Sequence, residues 1–395
     1  MTDNFVSELN KTADDLGINS RVRFYACGVV QVACEIAPYG KVAAIFTKNA
    51  FYDFGTSIVE SLKRAGVKPI SFILPENTSL NLSSVFDVIC VPDDVRAVLI
   101  FERELKDIAA YIATLFRAPV IFTLDSINTD GALCTKVPFI WGGKVPQTDF
   151  FQVDCDYHVV VSDDVLQKGD KAEQYSEIYA KRVALIDELA KSAVLVGIES
   201  DYAIKVISDA IVDADASCDP ETLLLSGLKI ELANFATGGE LVFNSAEYAF
   251  KRLVGFNRAF GTEGLTFALV KKLINLYALC ASEKEMPFEL PDHIKRAGEL
   301  SRLAEISETS LLSGYLEQVK ALKGKDMTVL KDDVGDRLAA LLSGFNGVEQ
   351  KYIALGGKTD LDFSPFVTAL KYCGDIPNTL NFMSILRESG FTESF

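Results

Sequence analysis

Two histidines, His158 and His293, are the whole imidazole supply of a 395-residue chain. One stands on an apparent strand over 157–161 and the other follows Pro291-Asp292 at a helix start, with nothing in the spacing to bring them together. Metal sites and proton relays both draw heavily on imidazole, so that scarcity limits either chemistry. The eight cysteines, Cys27, Cys34, Cys90, Cys134, Cys155, Cys218, Cys280 and Cys373, form no C-x-x-C pair and read as reduced thiols, mostly buried, of a cytosolic protein. Cys134 follows a turn without a flanking histidine or helix start to acidify it, which makes it an inert thiol. Asp125 and Asp130 share one loop and suit capping better than an acid–base dyad, since Asn128-Thr129-Asp130-Gly131 is strong turn chemistry. Trp141-Gly142-Gly143-Lys144 reads as a hairpin turn, with a small anion nest as the rarer alternative. Neither a G-x-S-x-G nucleophile elbow nor a G-x-x-x-x-G-K-[ST] phosphate loop is present.

The elements that must position these residues change character along the chain. Short apolar runs at 22–26, 42–47, 69–74, 97–101 and 119–123 alternate with helical patterns such as 54–62 and 104–117. Strands separated by helices give βαβ units and a parallel sheet. Beyond Ser162-Asp163-Asp164 helical periodicity takes over, at roughly 164–195, 201–212, 221–235 and several later segments. The expected organisation is an α/β domain over 1–162, a helical domain over 163–395 and a cleft between them.

With Lys+Arg 39 against Asp+Glu 55, the net charge of −16 argues against nucleic acid and against anionic membranes as partners. No charge-free apolar stretch of about 18 residues suggests membrane insertion. The polar start Met1-Thr2-Asp3-Asn4 is unlike a secretory or transit signal, so the expected location is cytoplasmic.

Several stretches carry a resemblance. Ala118-Pro119-Val120-Ile121-Phe122-Thr123-Leu124-Asp125-Ser126-Ile127-Asn128-Thr129-Asp130-Gly131 resembles the P-x-x-x-x-P-T-x-x-S-T-D-G strand and loop of glycerol-1-phosphate dehydrogenases, relatives of the dehydroquinate synthases and iron-containing alcohol dehydrogenases. Ala236-Thr237-Gly238-Gly239-Glu240-Leu241 through Ser245 is similar to their A-S-G-S-E-H-x-x-S-H, and Phe260-Gly261-Thr262-Glu263 sits where they have His-Gly-Glu. The resemblance covers most of the chain. It implies a Rossmann-like, nucleotide-binding-type first domain, a helical second domain, and homo-oligomers as a possible assembly.

The departures from that pattern lie in the reactive parts. The resemblance places cofactor contacts at Phe101, Glu102, Arg103, Asp107, Thr123 and Ser126, but Phe101-Glu102-Arg103 replaces a Gly-Gly-Gly turn whose backbone cradles a pyrophosphate. Side chains there block close approach, Glu102 and Glu104 repel phosphate, and only Arg103 offsets them. The implied metal set keeps Asp130 as a remnant, whereas Leu241 and Phe260 stand at the two histidine positions and Ser245 at a third. Leu and Phe donate no electron pair to a metal.

Two functions follow as expectations. The first is a catalytically degenerate member of this superfamily, a pseudoenzyme with no cofactor expected, that binds a small molecule in the cleft, rimmed by Asn128, Asp130 and Lys144, or a protein partner. The second is an active oxidoreductase that resembles glycerol-1-phosphate dehydrogenase and uses NAD(P) with zinc or iron on a phosphorylated polyol or ketone.

Overall fold

The computed structural model describes residues 3–238, apart from 77, 79, 82, 86–91, 142–146 and 195–200, together with 347–359. Leu241, Ser245, Phe260 and His293, as well as Lys144, lie outside the described residues. The chain divides into two compact units, Met1–Asp170 with Ser217–Gly239, and Lys171–Ala216 with Glu240–Phe395.

The first unit opens with helix α1 (Asp3–Asp15) and strand β1 (Val22–Tyr25). Helix α2 (Val29–Ile36) leads to β2 (Lys41–Thr47), followed by α3 (Lys48–Ala50), a π-helical turn at Phe51–Gly55 and α4 (Thr56–Arg64) without a break. After β3 (Lys68–Leu74) and β4 (Val95–Ile100), a short 3-10 turn at Arg103–Leu105 starts α5 (Lys106–Phe116). Strand β5 (Val120–Thr123) is followed by the antiparallel pair β6 (Lys136–Trp141) and β7 (Gln147–Gln152), and then by β8 (Tyr157–Val160).

Six of these strands form one parallel sheet in the order β1-β8-β5-β4-β2-β3. This is the Rossmann-like architecture expected from the alternating apolar runs. The runs at β2 and β4 are apolar on both faces because both faces are covered. Along β2, Val42, Ala44 and Phe46 pack with α2 and α4, while Ala43 and Ile45 pack into the opposite core with α1 and α5. Register pairs Val42 with Ala97 and Ala44 with Leu99, and β4 continues into β5 through Val98 opposite Val120. Chain direction sets the important feature. After β2 the chain turns to the α4 face, and after β4 it turns to the α5 face. The neighbouring carboxyl ends of β2 and β4 are therefore the topological switch point, where open α/β sheets leave a crevice for ligands.

Helix α6 (Lys171–Val194) and α7 (Asp201–Ser217) come next, followed by α8 (Pro220–Ala236), which packs Leu224, Leu228, Leu232 and Phe235 into the core of α1 and α5. In the second unit the Arg182 guanidinium pairs with Asp215, and the Tyr175 hydroxyl donates to Asp215 Oδ1 at 2.9 Å. Lys351 Nζ on α9 (Val348–Ala354) donates to the Asp215 carbonyl at 2.6 Å, so one residue ties three helices. No described helix is long and apolar enough to cross a membrane.

Candidate active site at the switch point

Thr47 closes β2, and its hydroxyl caps α3 by accepting from the Ala50 N–H at 3.3 Å. Its own N–H donates to Glu102 Oε2 at 2.8 Å, and its hydroxyl donates to Glu102 Oε1. Glu102, immediately beyond β4, thus bridges the switch point. Asn49 N–H donates to Glu76 Oε1 at 2.9 Å. Carboxylate oxygens of Glu76, Glu102 and Glu104 all lie within 4.8 Å of one another, Glu76 and Glu104 exposed and Glu102 half-buried. Beneath them Phe101 is buried and stacks on Phe46, with centroids 5.4 Å apart and planes 9° apart, while Phe54 meets it edge-on. This aromatic layer stands where the resemblance has bare glycine backbone.

The neighbouring loop, which follows β5, is pinned to the same place. Arg103 N–H donates to Asp125 Oδ2 at 3.1 Å, and Ser126 Oγ donates to the other Asp125 oxygen at 3.3 Å. Asp125 thus caps the start of the 3-10 turn from the neighbouring loop. Thr123 Oγ1, at the end of β5, is buried and has no hydrogen-bond partner.

Asp107, Asp130 and Cys134 belong to a different cluster, on the α5 face. Lys106 Nζ donates to the Asp130 carbonyl at 2.7 Å. The Cys134 thiol donates to the Gly131 carbonyl at 3.0 Å and lies 3.7 Å from Asp107 Oδ1. Leu133 N–H reaches Glu231 Oε2 at 3.4 Å, and the Tyr157 hydroxyl donates to the Cys134 carbonyl at 3.0 Å. Burial alone would lower the Lys106 ammonium, but the Cys134 sulfur and the carboxylates of Asp107, Asp130 and Glu231 outweigh it and hold it above its ordinary value. Burial pushes Asp107 up and Cys134 far up. Burial likewise raises Cys155 to about 12. Burial thus biases both thiols toward the protonated form, the direction that lowers thiol reactivity.

Of the residues singled out from sequence, the structure therefore gathers Phe101, Glu102, Arg103 and Ser126 around the switch point and its adjoining loop. It turns Asp107 into the Lys106 cluster. Asn128 is not a rim group: it is buried and clamps Gly169-Asp170, its amide nitrogen 3.4 Å from the Asp170 carbonyl and its oxygen 3.2 Å from the Asp170 nitrogen. His158 is far from any ligand role on its strand, its Nδ1 lying 2.9 Å from the Tyr25 hydroxyl, with burial holding the ring below its ordinary pKa. Sequence reasoning missed Thr47 and Glu76. The available signal was a threonine at the junction of an apolar run and a helical pattern, an N-cap position at the carboxyl end of a strand.

A dinucleotide pyrophosphate tests poorly against these residues. In the turn that replaces the glycines, the Arg103 amide already faces the Asp125 carboxylate, Glu102 is held by Thr47, and Phe101 carries a buried ring stacked on Phe46. Among the described residues, the unpartnered Thr123 hydroxyl is a feature that favours an added polar ligand.

No family model and no curated protein matches the chain. Solved structures do match. The NADH-dependent butanol dehydrogenase A of Thermotoga maritima is similar at TM-score 0.54 and 11% identity, over 93% of this chain and 95% of that one. The iron-containing alcohol dehydrogenase of Thermococcus thioreducens gives 0.53 at 9% identity, over 90% of each chain. The aldehyde reductase YqhD of E. coli gives 0.53 at 13% identity, over 95% of this chain and 98% of that one. At such identities the likeness is one of fold. It nevertheless corrects the expectation of no cofactor: a frame shared along nearly its whole length with an NADH-dependent and an iron-containing dehydrogenase gives no ground for excluding one. That expectation rested on the side chains that replace the glycine turn and on Leu241 and Phe260 at the histidine positions, whereas the carboxyl edge of the sheet is set by strand order, which is intact.

Proposed function

We infer, for a chain with the fold of the iron-containing alcohol dehydrogenase and dehydroquinate synthase-like superfamily, a divergent member that binds a small neutral, hydroxyl-bearing molecule at the switch point and has lost the metal-assisted hydride step. The observation that carries this reading is the Glu102 bridge to Thr47. Carboxylates accept hydroxyl donors well and repel phosphate, so the grouping of Glu76, Glu102 and Glu104 above an aromatic layer suits a diol or triol better than a phosphorylated polyol. A pocket with apolar walls and a few convergent polar groups is the usual form of such a site. Leu241 and Phe260 supply no ligand atom to polarise a carbinol oxygen.

The test joins binding to turnover. Calorimetry with glycerol should show saturable binding, weaker for glycerol phosphate than for glycerol. Mixtures of glycerol, 1,3-propanediol or butanol with NAD+ or NADP+ and added zinc or iron should give no absorbance rise at ~340 nm above the protein-free rate. Sustained turnover of any of these alcohols overturns the degenerate reading. Preference for the phosphorylated compound overturns the neutral-ligand reading.

A further inference from the structure

We propose that helix α1 is a strap over the open edge of the parallel sheet, latched there by Asn10, and that the latch keeps β1 from pairing with the same edge of a second copy of this chain. Strand β1 stands at the end of the strand order, so one side of its backbone has no neighbouring strand in the sheet. On its inner side the Arg21 carbonyl accepts from Tyr157 N–H at 2.7 Å, and the Tyr25 carbonyl accepts from Val161 N–H at 2.9 Å. Alternation along the strand then turns the peptide groups of Val22 and Phe24 outward. Both outward N–H groups are taken: Val22 N–H donates to the Ile18 carbonyl at 2.9 Å, and Phe24 N–H donates to Asn10 Oδ1 at 2.9 Å. Asn10 Nδ2 in turn donates to the Phe24 carbonyl at 3.0 Å. One side-chain amide therefore makes the two bonds that an added strand would make to Phe24.

The residue type fits this role. Asn10 stands inside α1, where asparagine favours helix less than alanine, leucine or lysine does, because its amide competes for backbone bonds. Here that amide reaches across to another element. Phe5, Val6, Leu9 and Ala13 of α1 join the core that holds Val22 and Phe24, and Glu8 pairs with Lys229 on α8. These contacts seat the helix, and Asn10 closes the strand's backbone. An unpaired edge is a template for another chain. A twofold axis beside Phe24 would let two copies exchange N–H and carbonyl bonds at that residue, the same two groups that Asn10 occupies.

The latch lies on the far edge of the sheet from β3 and uses none of the residues of the proposed ligand site, so each stands or falls without the other. The test compares the full wild-type chain with Asn10→Ala and with Val6→Ala, which weakens the seat of α1 but leaves the latch. Hydrogen exchange reads the Phe24 amide against the Val98 amide, which donates to the Pro119 carbonyl elsewhere in the sheet. Asn10→Ala should speed Phe24 about tenfold or more relative to Val98, whereas Val6→Ala should leave that ratio in place. Sedimentation should show Asn10→Ala doubling the wild-type state of association reversibly with concentration, and Val6→Ala keeping the wild-type state. An unchanged exchange ratio in Asn10→Ala, an unchanged state of association, or equal association of both variants overturns the proposal. If Asn10→Ala does not fold, Asn10→Asp decides by sedimentation, because its carboxylate still accepts from Phe24 N–H but repels the Phe24 carbonyl: doubled association is expected, and the wild-type state overturns the latch.

Discussion

The Lys106 ammonium lies 2.0 Å from the point a β-carbon on Gly131 would occupy, and Gly131 itself has φ +67°. Two demands thus meet at one residue: the turn requires left-handed backbone, and the lysine requires empty space to reach the Asp130 carbonyl. Gly131→Ala is expected to cost about 2–4 kcal/mol, the sum of left-handed strain and a lost charge-assisted hydrogen bond. Urea denaturation checks it. A loss below about 0.5 kcal/mol, the range of a neutral surface change, would show that Lys106 simply moves aside.

Asp107 provides a pH-dependent test in the same cluster. Its folded pKa is raised, by burial first, with Asp130 adding repulsion and Lys106 opposing. A raised carboxyl favours the fold below its unfolded value of about 4 and loses that contribution as pH rises through the folded value, so at neutral pH the charged group is a cost. Asp107→Asn should therefore be relatively more stable than wild type at pH 7 than at pH 3. Denaturation midpoints at the two values measure this, and a difference that is equal or reversed contradicts the placement of Asp107 in that cluster.

Much of the sheet was legible because a parallel strand covered on both faces leaves a continuous apolar run, as at Val42 to Phe46. The helix at 220–236 was legible as a helix, yet not the core it joins: its apolar residues lie all round, so no stripe names a partner. The site was half legible. Phe101 and Glu102 stood out as departures from a motif, and they do occupy the switch point. Thr47 and Glu76 did not, because a hydrogen bond between residues 55 apart leaves no periodic trace. The surroundings of Asp107 were not legible for a related reason. Its offset from the turn fits a motif, whereas its contacts are with Cys134 and Lys106, residues that no spacing along the chain links to it.

Asp219 caps α8, accepting from Glu221 N–H at 3.1 Å and Thr222 N–H at 3.0 Å. Burial would raise its carboxyl, but hydrogen bonds from Ser217 and Thr222 hold it at about 2. A lowered carboxyl contributes stability above the unfolded value of about 4 and loses it as pH falls through the folded one. Asp219→Ala should cost ~1 kcal/mol at pH 7, with the gap to wild type closing between about pH 4 and pH 2. A gap that persists at pH 2 would mean that the loss comes from packing rather than from the cap.

In the proposed function, ligand enters at the carboxyl ends of β2, β4 and β5. Threonine methyl spectra read this directly, because Thr47 and Thr123 stand at that edge while Thr12 lies in α1 and Thr222 in α8. Titration of glycerol into threonine-labelled protein should shift the Thr47 and Thr123 methyl resonances saturably and leave those of Thr12 and Thr222 in place. Shifts confined to other threonines, or equal small drifts of all of them, would contradict the claim.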